Sequence, residues 1–192
     1  MKPIITLLLV IMATTGFTQD STWHTLHKFR LDIKGGFGDV DKNASNSNVQ
    51  SYGYLLGIEP DINITDYTSA GLHYNYFEAF NGHDQEVSRK RNHLIMAGLT
   101  LRSPSRFTDK GWWLAGLNAG ANFYTNKVDT AFFPLHANRQ QTYSGTRFAF
   151  MPHCGLQYGR FVLDAAYLLS GNTGNHYFIV SLGFYVGSGK NK

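Results

Sequence analysis

Phe29-Arg30-Leu31-Asp32-Ile33-Lys34 decides the fold, because every odd residue in it is apolar and every even one is charged. A period of two places the two sets on opposite faces of a β-strand. The alternation returns along the chain. Residues 49–58 set Tyr52, Tyr54, Leu56 and Ile58 against Ser51, Gly53, Gly57 and Glu59, and residues 67–77 set Leu72, Tyr74 and Tyr76 against Gly71, His73 and Asn75. Stretches at 92–102, 112–124, 146–158, 161–169 and 176–186 repeat the pattern, with Leu94 and Met96 the least tidy members. That gives eight strands, mostly near the ten residues or so that a tilted strand needs to cross a bilayer. Pro152 interrupts the sixth; it has no N–H to donate, which predicts a bulge or irregular pairing there.

The connections alternate in length. Residues 39–48, 78–89, 126–144 and 170–175 are polar and mostly long, whereas 60–66, 103–110 and Tyr158-Gly159-Arg160 are shorter. With the N-terminus on the periplasmic side, the longer set falls outside. An even strand count returns the C-terminus to the periplasm.

The N-terminus supports an exported chain. Met1-Lys2 precedes an apolar run from Ile4 to Ala13, followed by small and polar residues. That run is too short to span a bilayer and reads as a signal peptide over 1–18; a short uncleaved anchor is the other reading. A periplasmic segment over 19–26, the barrel over 27–187 and a tail over 188–192 complete the predicted organisation. Cys154 is the single cysteine, so an intramolecular disulfide is excluded. Aromatic residues make up 15% of the chain and charged residues 16%. A soluble domain carries about a quarter charged residues. The formal charge of +4 contains no dense basic run, which argues against nucleic acid as a partner.

Alternation alone also describes a soluble barrel with an apolar interior. The polar phase separates the two cases. It is not rich in Lys, Glu and Thr but repeats glycine, at 53, 57, 71, 98, 116, 120, 155 and 183. Small residues suit the inside of a narrow barrel. The apolar phase carries no charge, as a lipid-facing surface requires. Aromatic residues gather at strand ends: Phe37, Tyr52, Tyr76 and Phe123 toward one rim, and Tyr67, Trp112, Trp113, Tyr158, Phe161, Phe184 and Tyr185 toward the other. Such belts match the girdles of membrane barrels. The fold class is all-β: an eight-stranded, antiparallel, up-and-down transmembrane β-barrel.

On stretches such as Tyr67-Thr68-Ser69-Ala70-Gly71-Leu72-His73-Tyr74 and Val180-Ser181-Leu182-Gly183-Phe184-Tyr185-Val186, the chain resembles small outer-membrane barrels of the OmpA/OmpX type. The resemblance implies an outer-membrane location and a structural or surface-interacting role. It also implies passage through periplasmic chaperones and the barrel-assembly machinery. A narrow channel or small-ligand transporter is the first alternative, and a lipid A-modifying barrel enzyme the second. One departure is that Phe184-Tyr185-Val186 is followed by Gly187 to Lys192 and not by a terminal aromatic residue.

The inward phase holds Arg30, Asp32, Lys34, Glu59, His73, Arg102, His153 and Asp164. Buried charges must be paired or wet. We expect Arg30, Glu59 and Arg102 to cluster at the periplasmic end, and Asp32, Lys34 and Asp164 further in. Together they form a polar plug, or line a gated path for small solutes. Arg89-Lys90-Arg91 sits at the outer end of the fourth strand, where it contacts lipopolysaccharide phosphates or is simply a solvated strand end. Phe132-Phe133-Pro134 docks a partner or packs on the rim. For enzymatic work, His73, His93, His136, His153 and His176 offer imidazoles and Ser69, Ser170 and Ser181 hydroxyls, without a spaced motif. His24 and His27, or His83-Asp84, make no ligand set, so neither metal nor cofactor is expected.

Overall fold

The computed structural model describes residues 29–40, 50–83, 86–130, 139–171 and 176–188. The expected signal peptide, the 19–26 segment, most of the tail, His24, His27, His136 and Phe132-Phe133-Pro134 lie outside these residues.

Eight strands follow in order: β1 Phe29–Val40, β2 Gln50–Asn63, β3 Thr68–His83, β4 Glu86–Thr108, β5 Gly111–Thr130, β6 Arg139–Tyr158, β7 Phe161–Ser170 and β8 His176–Ser188. Each is antiparallel to its neighbours in sequence. β1 also pairs with β8, from Phe29 opposite Ser188 to Val40 opposite Tyr177, so the sheet closes into a barrel.

The two sequence phases separate inside from outside. Phe37 is 80% exposed and Leu72 61%, whereas Arg30 is 5% and Asp32 3% exposed. An exterior of Phe, Leu, Ile and Val around an interior of charged and amide side chains suits hydrocarbon outside and a packed lumen within. Strand ends and tight turns set the orientation. Phe29, Ser188 and the turns at 64–67, 109–110 and Gly159-Arg160 share one rim, which the short-turn rule makes periplasmic. Gly159 takes a left-handed φ of 57°, the conformation this two-residue turn needs.

Three expectations are corrected. The polar stretches 78–89 and 126–144 are largely strand. β3 and β4 stay paired to His83 opposite Glu86, and β5 and β6 to Thr130 opposite Arg139. Beyond the lipid both faces are wet, so these extensions lack the alternation that marks a half-apolar strand. Residues 103–110 are likewise mostly β4. Register shifts lie here, between Arg102 and Arg106 and between Arg106 and Thr108. The Ser103 hydroxyl accepts the Trp113 N–H at 3.1 Å, replacing a lost ladder bond. At Pro152 the pairing is irregular, as expected, but not bulged: the ladder with β7 skips Met151 and Pro152 and keeps its register from Phe150 opposite Leu169 to His153 opposite Ala166. The missing N–H leaves a gap in the ladder without adding a residue. Lastly, Trp112 and Tyr185 leave the girdle. Both take the lumen-side phase, with the Arg106 guanidinium 4.9 Å from the Trp112 ring centre and that of Arg30 4.9 Å from the Tyr185 ring centre.

Placing a cation on the apolar band should be costly only within that band. Leu72→Arg is expected to destabilise the barrel in lipid vesicles by about 2–4 kcal/mol. Tyr143→Arg, on the protruding β5–β6 hairpin, should stay within about 0.5 kcal/mol. The urea midpoint of the folded, heat-modifiable gel band measures both.

Candidate site: the stratified lumen and the outer rim

The lumen is filled in tiers. At the periplasmic end Arg30 closes on Asp32 of its own strand: Nε donates to Oδ1 at 2.6 Å and a terminal nitrogen to Oδ2. A further N–H of Arg30 reaches Gln157 Oε1 at 3.0 Å. Arg102 shares this tier with Arg30, Asp32 and Asp61 and is 3% exposed; its Nε and Nη1 make no hydrogen bond.

Above it, six residues from five strands form one chain of contacts. Asp61 Oδ1 lies 3.0 Å from His73 Nε2, and the other nitrogen of that ring lies 3.7 Å from Glu59 Oε1. Glu59 Oε2 is 2.6 Å from Lys34 Nζ, which is 3.3 Å from Asp164 Oδ2. Asp164 Oδ1 is 3.1 Å from His153 Nδ1. Glu59 also accepts an N–H from Asn75 at 3.2 Å. Lys34 therefore stands between two carboxylates, and each carboxylate is shared with an imidazole. Opposite charge this close offsets the large desolvation cost of burying either ion alone.

Glycine makes the room. A Cβ on Gly98 would stand 2.2 Å from His73 Cε1, and one on Gly116 2.2 Å from His153 Nε2. β4 and β5 give up side chains where the imidazoles of the neighbouring strands β3 and β6 lie over them.

The third tier is apolar: Leu55, Phe77, Leu94, Met96, Met151, Leu168, Tyr177 and Ile179 are buried in one cluster, with Phe77 and Tyr177 edge to face at 4.7 Å. This corrects the expectation of a wholly polar and charged lumen. Leu94 and Met96, untidy as lipid-facing residues, belong here. Asn122 then donates to Asn92 at 3.0 Å and to Ser170 at 2.8 Å. At the outer mouth the Tyr124 ring lies 5.6 Å from Lys90 Nζ and 4.5 Å from the Arg147 guanidinium carbon.

The eight sequence-derived lumen residues all face inward, with a different partition. Asp32 belongs with Arg30 at the rim, and Glu59 with Lys34 and Asp164 further in. Arg102 stands apart from the ion-paired chain. The reason is reach: Arg30 folds back two residues along β1, whereas Lys34, opposite Gly57, finds space to reach Glu59. Asp61 was missed because 60–66 read as a turn; its phase, two beyond Glu59 and four beyond Gly57, was the available clue.

Arg89, Lys90 and Arg91 are split by the pleat. Lys90 is buried on the lumen side, so it cannot touch lipid headgroups. Arg89 and Arg91 lie outside, and both direct Nε to Glu78 Oε1, Arg91 at 3.2 Å. Glu78 also accepts the hydroxyls of Tyr54 and, at 2.6 Å, Tyr76. Sequence reading placed it in a loop. His93, one exterior position closer to the apolar band, hydrogen-bonds Tyr74 through Nδ1 at 2.8 Å.

No family model matches this chain, and no curated protein matches it. Solved structures share its fold. Neisserial surface protein A is 12% identical over 84% of this chain and 97% of its own, with a TM-score of 0.54. Ail, the attachment invasion locus protein of Yersinia pestis, solved in complex with the heparin analogue sucrose octasulfate, is 16% identical over 83% of this chain and 99% of its own, at 0.49. The N-terminal barrel domain of Pseudomonas aeruginosa OprF is 11% identical over 84% of this chain and 100% of its own, at 0.44. The fold is the small closed barrel that Neisserial surface protein A also has, and the apolar exterior suits a membrane.

Removing the shared cation should be severe. Lys34→Met leaves Glu59 and Asp164 buried without their ion partner and is expected to cost roughly 3–5 kcal/mol. Gly98→Leu, which drives a side chain into His73, should cost about 1–3 kcal/mol. Urea titration of the folded band, with Arg106→Gln as a rim control near zero, checks both.

Proposed function

We propose that this barrel is a closed, non-enzymatic membrane anchor that carries its outer segments at the cell surface. The observation behind this reading is the apolar tier. A water or ion entering from the periplasmic side meets the Lys34 chain and then Leu94, Phe77, Met96 and Leu168, none of which can replace its hydration. A hydrophobic constriction this well filled opposes permeation by dewetting. The ion pairs beneath it hold β1, β2, β3, β6 and β7 to one another, which suits a static scaffold better than a path that must open.

The enzymatic alternative draws no support from the geometry. Among the described residues, no imidazole hydrogen-bonds a serine hydroxyl. His73 and His153 are engaged by carboxylates inside the lumen, and His93 by Tyr74 outside it.

Planar bilayers test the closed lumen. The folded chain should give no steady conductance, whereas Phe77→Ala combined with Met96→Ala should open stepwise currents by removing much of the apolar tier. Steady currents from the parent chain would overturn the reading in favour of a narrow channel. A change in lipid A mass in cells carrying the protein would overturn its non-enzymatic part.

A further inference from the structure

The exterior of β3 and β4 changes character with height. From the periplasmic rim it reads Leu72 and Tyr74 on β3, beside Leu101, Leu99, Ala97 and Ile95 on β4. It continues through Tyr76 and His93 to Glu78, Phe80, Arg91 and Arg89. Glu78 stands ten residues above Thr68. At about 3.4 Å per residue and a tilt near 40°, that is roughly 26 Å along the barrel axis, the height of the hydrocarbon band. These charges therefore lie at the outer headgroup boundary.

Glu78 is a carboxylate on the outside of the barrel that is nevertheless 1% exposed. Tyr54, Tyr76, Arg89 and Arg91 converge on it and cover it. Both arginines spend Nε on this contact, and their side chains remain 44% and 39% exposed. Arg89 also meets the Tyr54 side chain, and the exposed part of each guanidinium faces outward, where an acceptor can reach it. Phe80 supports the first fork at 5.5 Å and stacks in turn on Tyr52 at 5.7 Å. Two arginines against one glutamate leave the patch with an excess positive charge. Because Glu78 fixes both forks from below, little side-chain freedom remains to be lost when an anion binds.

We propose that Arg89 and Arg91, aligned by Glu78 on an aromatic shelf, bind a phosphate of a phosphorylated glycolipid headgroup in the outer leaflet. Bidentate guanidinium–phosphate geometry and the height of the patch select this ligand. Lys90 takes no part. The inference rests on the barrel's place in the membrane and is indifferent to whether the lumen conducts.

The test uses the full chain folded in detergent and titrated with bis-phosphorylated lipid A, the same glycolipid freed of phosphate, and inorganic phosphate. The parent should bind the phosphorylated lipid best. Arg89→Gln with Arg91→Gln should weaken that binding roughly tenfold or more, as loss of charge-assisted hydrogen bonds predicts. Arg106→Gln at the opposite rim should leave it unchanged. Gel heat-modifiability certifies each variant as folded, and bilayer conductance of the double variant should equal that of the parent. Unchanged affinity in the folded double variant would overturn the proposal. So would equal binding of the phosphate-free glycolipid, or inorganic phosphate binding as tightly as the lipid.

Discussion

A backbone that crosses hydrocarbon must satisfy its own hydrogen bonds, and in this chain the pairing of β1 with β8 completes that requirement. With that ladder formed from Phe29 to Val40, no strand edge faces lipid. Every other feature follows from closing a ring of only eight strands. The circumference leaves an interior too narrow to hold bulk water and too wide to be filled by backbone, so side chains must fill it.

The filling is done by complementarity between neighbouring strands. Where one strand advances a large group, the adjacent strand withdraws to glycine: His73 beside Gly98, His153 beside Gly116, and Phe77 beside Gly53, whose Cβ would stand 2.7 Å from the ring. The ion pairs occupy the lower tiers, where carboxylates and cations neutralise one another. Apolar groups occupy the upper middle, where dispersion and exclusion of water hold them. This layering gives the barrel a rigid centre without a disulfide, for which the chain has too few cysteines.

The exterior obeys a different solvent. Between the two rims it is aliphatic and aromatic. At the upper boundary of β3 and β4 it turns to tyrosine, histidine and arginine. Glu78 shows how a charge is tolerated there, since four donors envelop it before lipid or water can reach it. The same carboxylate holds two guanidinium groups at fixed positions on the surface. Inside the barrel and outside it, one carboxylate organises several donors, with packing as the result in the lumen and a presented cationic surface at the rim.

Strand number, antiparallel order, the identity of the two faces and the inward set Arg30, Asp32, Lys34, Glu59, His73, Arg102, His153 and Asp164 were legible in the sequence. Each depends on a period of two that lipid imposes on one side of every strand. Where that asymmetry ends, the reading ended too: the extensions past Glu78 and Asn126 looked like loops, and Asp61 looked like part of a turn. Only the tertiary structure decided which ions meet and that Leu94 and Met96 complete an apolar tier. It alone placed Lys90 inside while its neighbours stay out. Those outcomes depend on register, side-chain reach and curvature around a closed ring, which bring together residues more than a hundred positions apart, such as Lys34 and Asp164. Local alternation assigns a residue to a face; the closed barrel determines its partner.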